Sequence, residues 1–252
     1  MRNIVFMMDI DLKGTGRYSS ARTEAYKWSR KSWKEWCDNN NVDLFILDET
    51  LLPVSEMNIC WQRYYLFDLL EANEINYDQV AMVDSDTIIH PDAPNFFKLT
   101  EHKYCGVHND GSYDWVLRSI ENYSEHVFKG REIKWWKYIN GGFQIVNRRH
   151  KEFFKEVVDF YNKNKNTLRM CEERFHTGTD QTPLNFLLQI WNIDVKVLPY
   201  EYNMQDMARK EILHDLSMTE IGWIYHFNAI PNNKEHRATK AFMEKTYRHL
   251  YS

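Results

Sequence analysis

The chain has few of the features that mark secreted, membrane-spanning or nucleic-acid-coating proteins. Its cysteines, Cys37, Cys60, Cys105 and Cys171, number only four, stand far apart and form no CxxC pair. That spacing excludes a dense disulfide framework, and the thiols are read as reduced. No segment approaches the ~18 apolar residues of a membrane span. The opening IVFMM is much shorter than a signal-peptide core and runs at once into Asp9 and Asp11, so the expected location is the cytoplasm. Lys and Arg total 32 against 36 Asp and Glu, a formal charge of −4. Nothing in that balance draws the whole chain to nucleic acid or an anionic membrane. Internal repeats and low-complexity tracts are also lacking.

What is present is enough apolar material for one core. The 252 residues are 43% hydrophobic and 15% aromatic, which suits a single large domain. Short runs rich in β-branched and aromatic residues recur at Ile4 to Met8, Val42 to Leu47, Gln79 to Val83, Phe143 to Asn147, Val195 to Leu198 and Trp223 to Phe227, and read as strands. Helical spacing lies between them: Ala25, Trp28, Ser32 and Trp36; Ile59, Arg63, Leu66, Leu69 and Leu70; Phe153, Phe154, Val157, Val158 and Tyr161; and Leu184, Leu187, Leu188 and Trp191. The last has Thr179 as expected N-cap and Pro183 in its first turn. Alternation of the two periods predicts an α/β sandwich. The polar stretch 162–180 reads as a connection with a weak helical start. The segment 111–138 is the least periodic and is expected to be a mobile, substrate-covering element. Residues 231–252, with Lys234, Arg237, Lys240, Lys245 and Arg248 around Phe242, Tyr247 and Leu250, read as a basic amphipathic helix packed on a domain of residues 1–230.

The stretch QVAMVDSDTIIH (residues 79–90) ends an apolar run in Asp84 and Asp86. A strand ending this way brings two carboxylates to the carboxyl edge of a sheet, where open α/β folds bind ligands. Their repulsion is relieved by a hard divalent cation such as Mn²⁺ or Mg²⁺, which keeps coordination positions for phosphate oxygens; Ser85 between them leaves the backbone accessible. The competing reading is a solvated turn. A phosphohydrolase of the haloacid dehalogenase type also ends a strand in Asp-x-Asp. Neither MMDIDLKGTG nor MVDSDTII continues as that family does: Lys13 stands in the place of its Thr or Val, and Thr87 comes one position early.

The segment YDQVAMVDSDTIIHPD resembles the metal-binding segment of GT-A fold glycosyltransferases, and other segments agree in the expected order. NIVFMMDID is similar to the first strand of the nucleotide-binding half, CWQRYYLFDLL to the helix before the acidic strand, YINGGFQIVNRRHKEFF to the Asn-x-Gly strand, and HTGTDQTPLNFLLQ to the Asp-Gln helix start of family 8 and related groups. WIYHFNAIPNNK is similar to the family 8 ending, in which a His is the third metal ligand and a Lys binds phosphate. Here Ala229 and Asn232 stand where that pattern has Gly and Lys, and Lys234 follows two places later.

The resemblance implies a GT-A-like single α/β domain with a mixed, mostly parallel central sheet flanked by helices. It implies transfer from a nucleotide sugar, UDP-linked, to a hydroxyl acceptor on a glycan, a protein or another molecule. Asp84, Asp86 and His226 would hold Mn²⁺ or Mg²⁺. Arg63, Ser85, Asn140, Gly141, Gly142 and Lys234 would contact the donor, with Arg17 and Arg22 as further basic candidates. Gly141 and Gly142 are expected to let backbone approach the sugar, and Asn140 to hydrogen-bond its hydroxyls or those of the acceptor. Asp180 and Gln181 are the catalytic candidates, Asp180 alternatively capping its helix. Asp110 and Asp114 also qualify by type as an inverting base, while the family 8 likeness leans towards retention. The overall charge does not favour a nucleic-acid acceptor, for which only the basic tail offers phosphate contacts. A binding module without turnover is the remaining alternative.

Overall fold

The structure is a computed structural model that describes residues 2–11, 21–109, 111–176, 178–205, 207, 215–230 and 237–252, with the side chains of 21–25 excepted. The elements in chain order are β1 (Arg2–Met8), α1 (Ala21–Asn40), β2 (Asp43–Leu47), α2 (Ile59–Gln62), α3 (Leu66–Ala72), β3 (Tyr77–Asp84), β4 (Thr87–Ile89), β5 (Tyr104–His108), α4 (Tyr113–His126), β6 (Ile139–Asn147), α5 (Lys151–Phe175), α6 (Gln181–Ile190), β7 (Val195–Leu198), β8 (Ile224–His226) and α7 (Arg237–Leu250). Six strands form one sheet in the order β2-β1-β3-β6-β5-β7, and β4 pairs with β8 in a separate ribbon. Within the large sheet only β6 runs against its neighbours, β3 and β5; the other adjacent pairs are parallel.

The near-continuous apolar strands follow from burial on both faces. Successive side chains alternate between them. Ile4, Phe6, Val80 and Met82 join the core beneath α2, α3, α5 and α6, while Val5, Met7, Ala81 and Val83 join Trp33 and Trp36 of α1 on the other face. Trp36 is fully buried and stacks on Phe96 at 4.8 Å between ring centroids. Truncating such a ring to alanine costs about 3–5 kcal/mol. A third cluster joins α1 to α7, where Trp28 meets Tyr247 at 5.0 Å and Met243 is buried.

Three expectations are corrected. The segment 111–138 is not irregular throughout: Ser112 caps α4 by accepting from the Trp115 N–H at 3.3 Å, and Val116, Ser119 and Tyr123 form its buried stripe. The buried Ser119 interrupts the apolar spacing that would have exposed this helix in the sequence. The polar stretch after Tyr161 is not a connection but the continuation of α5 to Phe175, anchored by buried Leu168 and Cys171 three residues apart. The N-cap position of α6 belongs to Asp180 rather than Thr179, and the Asp180 side chain makes no capping bond.

Candidate functional site

The site forms where β3 ends. The Thr87 hydroxyl donates to the Asp84 carbonyl at 2.7 Å and accepts from Trp33 Nε1 at 2.9 Å, which fixes the turn Asp84-Ser85-Asp86 against α1. β8 pairs antiparallel with β4, placing His226 opposite Thr87, and the Phe227 N–H donates to the Asp86 carbonyl at 2.8 Å. This ribbon brings His226, distant in sequence, onto the acidic couplet. His226 Nε2 lies 3.2 Å from Asp86 Oδ1 and 3.7 Å from Asp84 Oδ2, and one ligand atom from each residue falls within 4.8 Å of the others.

Two carboxylates and one imidazole are a donor set suited to Mn²⁺. Ligands at about 2.1 Å from an ion, in adjacent octahedral positions, stand about 3 Å apart, close to the separations found. The imidazole is 3% exposed, whereas the carboxylates are 28% and 23% exposed, so the cluster is closed behind and open in front. Burial works to lower the His226 pKa, but the adjacent Asp86 and Asp84 carboxylates outweigh it and raise it above the ordinary value. His226 Nδ1 is buried without a hydrogen-bond partner.

The start of β6 reaches the same edge because this strand runs backwards, its Phe143 opposite Val83. A Cβ on Gly142 would lie 2.3 Å from His226 Cε1 and 2.9 Å from Asp84 Oδ2. The missing side chain at 142 therefore makes room for the acidic cluster itself. At Gly141 a Cβ would meet Gln181 Oε1 at an ordinary 3.5 Å. The Gly141 N–H donates to Gln181 Oε1 at 2.8 Å, and Gln181 Nε2 reaches Asn109 Oδ1 at 3.2 Å. Asn140 is buried, giving its amide to Asn109 Oδ1 and accepting from the Gly142 N–H and Asn203 Nδ2 at 2.8 and 3.0 Å.

Arg63, in the short 3₁₀ turn between α2 and α3, ties these segments together. Its guanidinium donates to Asp84 Oδ1 at 2.8 Å and to the Gly141 carbonyl at 2.9 Å, and its Nε lies 3.7 Å from Asp180 Oδ2. Asp180 also accepts from the Tyr64 and Thr179 hydroxyls at 3.0 and 3.1 Å. A cation placed among three chain segments neutralises two carboxylates and fixes one oxygen of Asp84, leaving its other oxygen towards His226.

Arg63, Asp84, Ser85 and Asp86 line one pocket with Met8, Tyr26 and Cys60. On the far side of β6, Asn140 and Gln181 line a second cavity of about 420 Å³ with Ser112, Trp115, Gln205 and Asn228. Asp114 stands apart, exposed on α4 and paired with Arg118 at 2.7 Å. Asp110, Arg17 and Lys234 lie outside the described residues, as does the side chain of Arg22. In the first Asp-x-Asp, Asp9 is buried and ion-paired with Arg30. Asn109, Asn203 and Gln205 complete the network without any motif that marks them in the sequence, as does Tyr64, which stands within CWQRYYLFDLL but carries no chemical pattern of its own. Among the described residues no helix is long and apolar enough to cross a membrane, and none of the four cysteines is in a disulfide.

No protein-family profile and no curated protein matches the sequence. Solved structures do match in fold. A glycosyltransferase involved in glycosylation of the major capsid of PBCV-1 superposes with a TM-score of 0.62 at 12% identity, over 97% of this chain and 100% of its own. The galactosyltransferase LgtC, solved with donor and acceptor sugar analogues, gives 0.55 at 12% identity over 99% and 96%. The glycosyltransferase GlyE of Streptococcus pneumoniae TIGR4 gives 0.55 at 14% identity over 99% of this chain and 62% of its own. With a mostly parallel sheet, one reversed strand and an Asp-x-Asp turn at its edge, the chain has the GT-A fold of these glycosyltransferases.

Proposed function

We propose that the protein transfers a sugar from a nucleotide sugar, UDP-linked, to a hydroxyl acceptor, with Mn²⁺ held by Asp84, Asp86 and His226. The observation that carries this reading is the convergence of those three side chains, one buried and two open to solvent, at the ligand-binding edge of a GT-A sheet.

Departure of the sugar builds negative charge on the diphosphate. A bound divalent ion supplies Lewis-acid neutralisation of that charge. The protein's part is to hold the ligands ready: the turn locked by Thr87 orients both carboxylates, and Arg63 adds a fixed positive charge beside Asp84. Ser85, Asn140, Gly141 and Gly142 are the proposed donor contacts at the same edge, and Lys234 the proposed phosphate contact. Asp180 and Gln181, at the start of α6, are proposed to face the reacting sugar. Asp180 is 6% exposed and held by three neighbours, which suits positioning and charge stabilisation.

The test is thermal stabilisation by a panel of nucleoside diphosphates with and without Mn²⁺, followed by assay of acceptor-free hydrolysis of the matching nucleotide sugar. UDP is expected to shift the midpoint only with the metal, and Asp86→Ala to abolish the shift. An equal shift in that variant would defeat the site assignment.

A further inference from the structure

The cavity on the far side of β6 differs in character from the acidic pocket. Gln205 donates its amide to the carbonyls of His108 and Asn203 at 3.1 and 3.4 Å, so its Oε1 is the atom left over. That oxygen is buried without a partner, and so is Asn228 Oδ1. Both residues line the cavity beside Asn140 and Gln181. Buried acceptors without donors are uncommon, and these two lie in residues that make this wall rich in amides.

Next to this cavity, α4 and the 3₁₀ turn Trp135–Lys137 present Tyr113, Trp135 and Trp136 at 52%, 37% and 55% exposure. Tyr113 meets Trp135 edge-on at 5.0 Å, and Trp135 meets Trp136 edge-on at 5.7 Å. All three rings keep part of their surface exposed. The mount is firm: Lys134 and Gln189 exchange two hydrogen bonds at 2.8 and 3.1 Å, the Tyr138 and Thr182 hydroxyls bond at 2.6 Å, and the Asn109 N–H donates to the Tyr138 carbonyl at 3.0 Å. Ser112 and Trp115, which flank Tyr113 in the chain, line the cavity, so the first turn of α4 contributes to both cavity and rim.

Resting on the sugar-transfer reading above, we infer that the acceptor is a glycan of at least two sugar units. Its terminal ring lies in the amide-lined cavity, and the next ring stacks on the Tyr113–Trp135–Trp136 rim. A pyranose has apolar C–H faces and hydroxyl edges, matching exposed aromatic rings beside a cavity lined by amide side chains. A rim fixed in advance binds without an ordering cost.

The test is retention on an array of immobilised glycans with their matched monosaccharides, alongside the Mn²⁺-dependent thermal response to UDP. Wild type should retain a set of oligosaccharides better than the corresponding monosaccharides. Trp136→Ala and Tyr113→Ala should lower that retention about tenfold, Trp136→Phe should keep most of it, and all three should respond to UDP and Mn²⁺ as wild type does. Failure of wild type to retain any oligosaccharide, or equal retention by the double alanine variant, would overturn the inference. So would concentration-dependent self-association of wild type that Trp136→Ala removes, which would assign the rim to a second copy of the chain. Loss of the UDP response in wild type would strike the transfer reading instead.

Discussion

Strand β6 has a buried histidine at each end, and the two ends obey different rules. Beyond its last residue, His150 accepts the Asn147 N–H at 3.1 Å, while the Asn147 side chain accepts from the Arg149 N–H and donates to the His102 carbonyl. Burial pushes the His150 pKa down to about 4, so this imidazole is neutral and structural. At the other end His226 sits behind Gly142 with two carboxylates in front of it, its pKa raised and its Nδ1 unpartnered. Burial alone is therefore no sign of a functional site. Concentrated charge and unsatisfied atoms are what set one end apart.

The contrast breaks most simply at Asp86. Asp86→Ala is expected to remove metal-dependent UDP binding and reduce transfer about a thousandfold, whereas His150→Gln should leave both near wild type; comparable losses in the two variants would erase the distinction. Next comes Arg63→Met, which leaves Asp84 and Asp180 without their cation. A loss of about 3 kcal/mol in urea unfolding is expected, along with a weaker UDP response.

At the structural end the sign of the pH effect is fixed by the lowered pKa. Below about pH 6.5 the unfolded state takes up a proton at His150 that the folded state refuses until about pH 4. The stabilising contribution is complete above that window and is lost as pH falls through it, by up to about 3 kcal/mol. Wild type should lose that much more than His150→Gln between pH 7 and 4, because carboxylates titrate in both; parallel urea-midpoint curves would refute it. The smallest effect separates neighbouring glycines. Gly142→Ala should weaken Mn²⁺ binding about 10-fold to 100-fold by displacing His226, and Gly141→Ala hardly at all, as read by calorimetric titration of the metal.

Much of this arrangement could be read from the residues in order. β1, β3 and β6 announce themselves as runs of β-branched and aromatic side chains because both sheet faces are covered there, and the edge strands β2 and β7 do so by the same residue types though only partly buried. β5 does not, since YCGVH carries few strand-forming residues and is held by its neighbours on either side. β4 has three residues and is defined by β8, which lies more than a hundred positions away. The acidic couplet was visible as chemistry at a strand end, and His226 only through the resemblance of WIYHFNAIPNNK to the family 8 ending. What Arg63 touches was not, because it joins Asp84, Gly141 and Asp180 across distances no local pattern encodes. The amide network of Asn109, Asn203 and Gln205 was equally silent, as isolated amides in irregular segments look like ordinary solvated loops.

The backward course of β6 also has a consequence for diversification. β5 finishes and β6 begins at one rim of the sheet, where Asn109 and Asn140 are bonded to each other at 2.9 Å. The intervening segment thus leaves and re-enters the scaffold through a single doorway. A graft of residues 111–137 from another protein of this fold is expected to exchange the surface at that rim while the Asp84–Asp86–His226 cluster and the strand register stay as they are.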